Sequence, residues 1–228
     1  MKIKLSSNIK FVLVLVIASF SIACVKNDNN DYDTRVRFLN AIDQGAQDFY
    51  LNGLKVAPAV VYGSSSSYIT AAGDKEYNVY SRGAGTSSIS DSIKYLFSVG
   101  KNYTVYYTKK SATDSVLTVL EDDLARDASS VRLFFINLGY NLSSNVNIRN
   151  ESSSVVKILG PGENSGYIKL PVNADANIYL NLLASPNVTD TILNTNFVKG
   201  NTYTIMIDGV NKGTTAGKLQ KRVIVSSN

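Results

Sequence analysis

The feature that most constrains this chain is an internal echo. Residues 97–106 read FSVGKNYTVY and residues 197–206 read FVKGNTYTIM, with Phe, Gly, Tyr and Thr repeating 100 residues apart. Residues 38–40 (FLN) return at 135–137 (FIN), an offset of 97. Continuing without a gap, Asp48-Phe49-Tyr50-Leu51 falls on Asn145-Val146-Asn147-Ile148. Asp91-Ser92-Ile93 falls on Asp190-Thr191-Ile192, an offset of 99. Offsets that drift this little, in unchanged order, mark a duplicated unit with small loop changes. Two copies are too few for a solenoid, so the pattern predicts tandem domains.

Each copy has a β texture. Runs such as RVRFLNA, DFYLNG, EYNVYS, YTVYYT, VRLFFIN, NIYLNLL and TYTIMID are rich in Val, Ile, Tyr, Phe and Thr and are broken by Gly, Asn, Asp and Ser. No apolar stripe at three-four spacing persists as a helix would require. Some seven short strands per copy predict an all-β, antiparallel sandwich. In the YTVYYT run, Tyr103, Val105 and Tyr107 point one way and Thr104, Tyr106 and Thr108 the other, so one face is expected to be core. Gly100 and Gly200 precede equivalent strands and read as turn residues with positive φ. Asn52-Gly53 reads as a type I′ hairpin tip; in the second copy Asn150 would have to supply the left-handed residue.

The N-terminus belongs to neither copy. Lys2, Lys4 and Lys10 precede an aliphatic run, which ends in the small residues Ser21 and Ala23 just ahead of Cys24. That order marks a secretory signal peptide, and the run is too short to span a bilayer. "SIAC" resembles the lipobox of bacterial lipoproteins, in which the cysteine sulfur carries the lipid, and Cys24 is the chain's sole cysteine. Lipidation at Cys24 is therefore expected, with the mature chain tethered to the outer membrane and facing the cell surface or, failing that, the periplasm. Asp28 and Asp31 fit a surface-export tract. The boundaries read 1–23 signal peptide, 24–33 tether, 34–124 first domain, 125–130 linker and 131–228 second, divergent domain. Removing residues 1–23 leaves 20 basic against 18 acidic residues, a balance that argues against nucleic acid as a partner.

RVRFLNAIDQGAQDFYLNG, then YGSSSSYITAAG, GKNYTV and LEDDL resemble the bacterial domain-of-unknown-function family 4397 across about residues 34–124. The resemblance implies an immunoglobulin-like β-sandwich on an exported, often lipid-anchored protein, and implies no activity. The second copy departs from the pattern, with Asn147 in place of the hairpin tyrosine.

The catalytic inventory is thin. The chain has no histidine, which excludes a Ser-His-Asp triad, a Cys-His pair and a His-liganded zinc. No phosphate-cradling glycine loop is present, and no cofactor is expected. Glu121, Asp122, Asp123 and Asp127 lie close together and read as a solvated linker, with a calcium site at the domain junction as the alternative. Fourteen tyrosines without a tryptophan raise an aromatic binding patch, for which Tyr68, Tyr106, Tyr107 and Tyr167 are the choices, against ordinary half-buried strand tyrosines. Asp-Ser/Thr-aliphatic triplets place possible O-glycosylation at Ser92, Ser115 and Thr191. The expectation is a non-catalytic, lipid-anchored binding or adhesion module for a glycan or protein ligand. The alternative is a structural subunit that joins envelope or fimbria-like partners by β-strand addition.

Overall fold

The computed structural model describes residues 33–173, 176–210 and 218–226; Cys24 and the segment around it lie outside them. The first half contains β1 (Asp33–Asn40), β2 (Gln47–Leu51), β3 (Leu54–Val60), β4 (Ser64–Ser65), β5 (Ile69–Ala72), β6 (Lys75–Gly83), β7 (Ile89–Phe97), β8 (Asn102–Lys109) and β9 (Ser115–Glu121). The second contains β10 (Val131–Asn137), β11 (Val146–Asn150), β12 (Val156–Leu159), β13 (Asn164–Leu170), β14 (Ile178–Leu182), β15 (Ser185–Ile192), β16 (Thr202–Val210) and β17 (Lys218–Val225). Helical conformation among the described residues is confined to 3-10 turns, such as Asn194–Asn196.

Four sheets result. In the first half β4 and β5 pair with β1, which continues through β8 to β9, and the other sheet runs β3-β2-β6-β7. In the second half the orders are β13-β10-β16-β17 and β12-β11-β14-β15. The two halves share one strand order, with β4 and β5 of the first in the place that β13 takes in the second. One expectation changes. Pairing is antiparallel except for β1 with β8 and β10 with β16, which are parallel. Parallel neighbours need a long crossover, and here the connection runs through the opposing sheet.

Within each half two sheets face each other over one core. Val36, Phe38, Phe49, Leu51, Val79, Phe97 and Val105 fill the first. Leu133, Phe135, Val146, Ile148, Leu180 and Ile205 fill the second. Phe38 stacks on Phe49 across the first core at 5.0 Å. A third core joins the halves: Leu39 and Tyr106 meet Phe134, Ile136, Leu138 and Met206. The β1-β8-β9 sheet is thus covered on both faces, by its own partner sheet and by the β10-β16 sheet. This corrects the expectation that one face of YTVYYT is core: Tyr103 through Thr108 are all buried. It also explains VRLFFIN, which is apolar nearly without alternation and buried at every position.

The turn residues largely follow the sequence reading. Asn52 and Gly53 have φ of 47° and 89°, and Gly100 and Gly200 have 72° and 86°. Asn150 does not take the left-handed conformation. Its side-chain oxygen accepts from the Val155 N–H at 2.9 Å and closes a longer loop, in which Ser153 has φ of 55°.

Candidate functional site

The joint between the halves is built by the outward residues of β1, β8, β10 and β16. Its polar centre is Arg37, whose side chain is 3% exposed. Nε donates to Thr104 Oγ1 at 2.7 Å, and Nη2 reaches Ser226 Oγ at 2.9 Å and lies 3.8 Å from Asp122 Oδ1. Asp122 Oδ2 accepts from Thr104 at 2.5 Å and from the Tyr68 hydroxyl at 2.7 Å. Arg132 forks onto Asp123, holding its carboxyl below the ordinary value, and stacks on the Tyr167 ring at 4.7 Å. Nearly every polar group here is spent on another protein group, so this part of the joint is structural.

The end of the joint differs. There the C-terminal ends of β1, β8, β10 and β16 converge, and two adjoining recesses open between the halves. One is a groove of about 200 Å3 with Val116, Ile136 and Leu138 among its apolar walls and with Lys109, Lys110 and Tyr140 also lining it. The other is a crevice of about 30 Å3 that shares Lys109, Leu138 and Tyr140 and adds Asp43, Tyr62, Asn141 and Asp208. Both halves supply walls to each recess, a common setting for ligand sites. Asp208 is only 6% exposed; burial raises its carboxyl pKa, while the Tyr62 hydroxyl donates to it. The Tyr62 hydroxyl is pushed well up, chiefly by burial.

The residues singled out in the sequence lie elsewhere. Tyr106 is fully buried in the joint, and Tyr107 is buried in the first core. Tyr68 and Tyr167 are half-buried against Arg37 and Arg132, with the Tyr167 pKa pushed up by burial to about 12. The expected aromatic patch is therefore not an exposed face: Tyr106 is covered in the joint, Tyr107 faces the first core, and Tyr68 and Tyr167 lie against arginines. The four acidic residues do not converge on a cation. Glu121 pairs with Lys101 at 2.7 Å, Asp122 and Asp123 serve the arginines, and Asp127 pairs with Lys169 at 3.2 Å. Asp127 is held well below the carboxylate range, first by its hydrogen bond from Ser129. Among the described residues no three of His, Cys, Asp and Glu form a metal-binding group. Ser92 is exposed on β7, whereas Ser115 and Thr191 are half-buried and Ser115 Oγ lies 3.2 Å from the Tyr107 hydroxyl.

Sequence reasoning missed Asp208, Asn141, Tyr62, Tyr140, Lys109 and Lys110. One signal was present. Asp208 stands where the first copy has Thr108, and a carboxylate in a strand of that apolar character is conspicuous.

The family model described as "Domain of unknown function (DUF4397)" matches residues 34–148, the first half together with β10 and the start of β11. The chain belongs to this family. No curated protein matches it. Among solved structures it is similar to CBMbc (family CBM26) of Amy13K from Eubacterium rectale, in complex with maltoheptaose, at 12% identity, 86% coverage of this chain, 98% of the other and a TM-score of 0.27. At that score the likeness carries no argument.

Proposed function

We propose that this DUF4397 protein is a non-catalytic, lipid-anchored cell-envelope protein of two tandem immunoglobulin-like domains that acts as a binding or adhesion module. Cys24 would carry the lipid, and the folded part would stand off the outer membrane at the cell surface. The observation that carries the reading is the groove walled by both halves. Apolar Val116, Ile136 and Leu138 would take the body of a ligand, and Lys109 and Lys110 an anionic group on it. A peptide end or an acidic glycan has that character. Against catalysis, the chain has no histidine, and its clustered acids are held by cations and hydroxyls.

The test uses the full chain carrying Cys24→Ala, incubated with isolated cell envelopes. The native chain should incorporate labelled fatty acid and this form should not; labelling of both would remove the anchor from the proposal. Adding Tyr140→Ala and Lys110→Glu should cut envelope binding about tenfold, a loss of ~1.4 kcal/mol. Unchanged binding would move the site away from the groove. Protease digestion of intact cells bearing the native chain decides which way it faces.

One feature favours the strand-addition reading. β12 is a sheet edge with Val156 and Ile158 exposed at 55% and 51%. Concentration-dependent oligomers abolished by Ile158→Lys would support that reading, and a strict monomer would end it.

A further inference from the structure

The crevice beside the groove contains buried oxygens without donors. Asp208 Oδ2 accepts from the Tyr62 hydroxyl, but Oδ1 is buried with no partner. Asn141 lines the same crevice, and its Oδ1 is also buried and unpartnered. Asn141 packs this deep because residue 209 is glycine: a Cβ there would lie 2.3 Å from Asn141 Oδ1. Asp43 sits exposed at the rim, close enough for its charge to bear on Asp208. The cations nearby do not satisfy these oxygens. Lys109 Nζ donates to Ala112 O at 2.9 Å, and Arg222 stacks over the Tyr62 ring at 4.3 Å.

A buried acceptor without a donor has lost its water and gained nothing in return. A carboxylate, an amide oxygen and a second carboxylate around one small space form a donor set that hard cations favour. We propose that this crevice binds a divalent hard cation of the calcium type, ligated by Asp208 Oδ1, Asn141 Oδ1 and the Asp43 carboxylate, with water completing the shell. The space, about 30 Å3, holds an ion and little more. Asp43 belongs to the first half and the other two ligands to the second, so the ion fastens the joint at the end where the groove opens. Binding only to the folded chain, it raises stability by mass action. The inference does not depend on the groove having a ligand.

The experiment uses the full chain in detergent, with Tb3+ as the probe and tyrosine excitation through Tyr62 and Tyr140. Sensitised emission that Ca2+ displaces is expected, together with a higher Tm in Ca2+ than in chelator. Asp43→Asn, at an exposed position, should weaken Tb3+ binding about tenfold or more and leave the Tm in chelator unchanged. Asn141→Asp should tighten Tb3+ binding by adding charge. Absent emission with equal Tm in Ca2+ and chelator means that water alone fills the crevice, which overturns the proposal. Undiminished binding by Asp43→Asn overturns it as well. So does weaker binding by Asn141→Asp, which would mean that the amide donates to Asp208.

Discussion

In the first half the Asn40 amide donates to Val60 O and its oxygen accepts from Ile42 N; in the second, Asn137 does the same with Leu159 O and Gly139 N. Ser66 and Ser165 both accept from the first strand of their half, at Phe38 N and Phe135 N. Tyr103 and Tyr203 both take a backbone N–H five residues upstream, at Ser98 and Val198. The outward-facing ladder positions tell the opposite story. Tyr50 and Tyr80 stack at 4.7 Å under Arg82, where the second half has Asn147 hydrogen-bonded to Asn181 at 3.1 Å. Arg37 stands where the second half has Phe134, Asp122 where it has Ser226, and Asp48 where it has Asn145. Side chains that fix the backbone are duplicated, and those that face outward diverged. The divergence made the joint complementary: one half brings a buried arginine and carboxylate, the other hydroxyls and apolar side chains.

Breaking that complementarity should have the largest effect. Arg37→Ala leaves Asp122 buried without its cation and should cost about 3–5 kcal/mol in denaturant unfolding. Replacing the pair together by apolar residues, Arg37→Met with Asp122→Leu, should recover most of that loss, because an apolar replacement of a buried pair is often neutral. No recovery would mean that the hydroxyl network around Arg37 holds the joint. Replacing Tyr50 and Tyr80 by the asparagines of the second half should cost about 2–3 kcal/mol, the ring pair alone contributing ~0.5–1.5. An unchanged stability would show that the outer face of this sheet is structurally idle. Tyr106→Phe works the other way. Its hydroxyl is fully buried in the joint without a partner, so its removal should add about 1 kcal/mol. A loss instead would reveal a bond that this hydroxyl makes.

The smallest effect concerns pH. Lys55 donates to Asp48 at 2.5 Å and holds its carboxyl below the ordinary 3.8, aided by the Ala59 N–H. A depressed carboxylate contributes stability above its unfolded value, and the contribution is lost as pH falls through the folded value. Asp48→Asn, which copies Asn145, should therefore flatten the decline of stability below about pH 4 and lower the plateau at neutral pH. An identical acid limb in both proteins would show that Asp48 is unimportant there.

Much of the scaffold was legible in the chain because turns and strands depend on local chemistry. The glycines at 100 and 200, the Asn52-Gly53 tip and the alternating runs predicted elements that the structure contains. Register was less legible. Ile192 stands opposite Ile178 as Tyr95 stands opposite Tyr77, so the match of Asp91 to Asp190 is displaced by two residues along the ladder. A shift of two keeps each side chain on its face, so neither copy's hydrophobic pattern resists it. The recesses were not legible, because Asp43, Asn141 and Asp208 are far apart in sequence and meet only where two halves touch.

The sequence by itself determined that the chain is all-β, that it lacks histidine chemistry, and where the strands begin and turn. These follow from residue type and spacing within a few residues. Only the tertiary structure decided that the sheets carrying β1 and β10 pack against each other. That packing buries Tyr106, half-covers Tyr167, accompanies the pairing of Asp123 and Asp127 with Arg132 and Lys169, and opens the groove and crevice at one end of the joint. The physical reason is that a strand pattern records which residues avoid water on each face, but not which surface covers them.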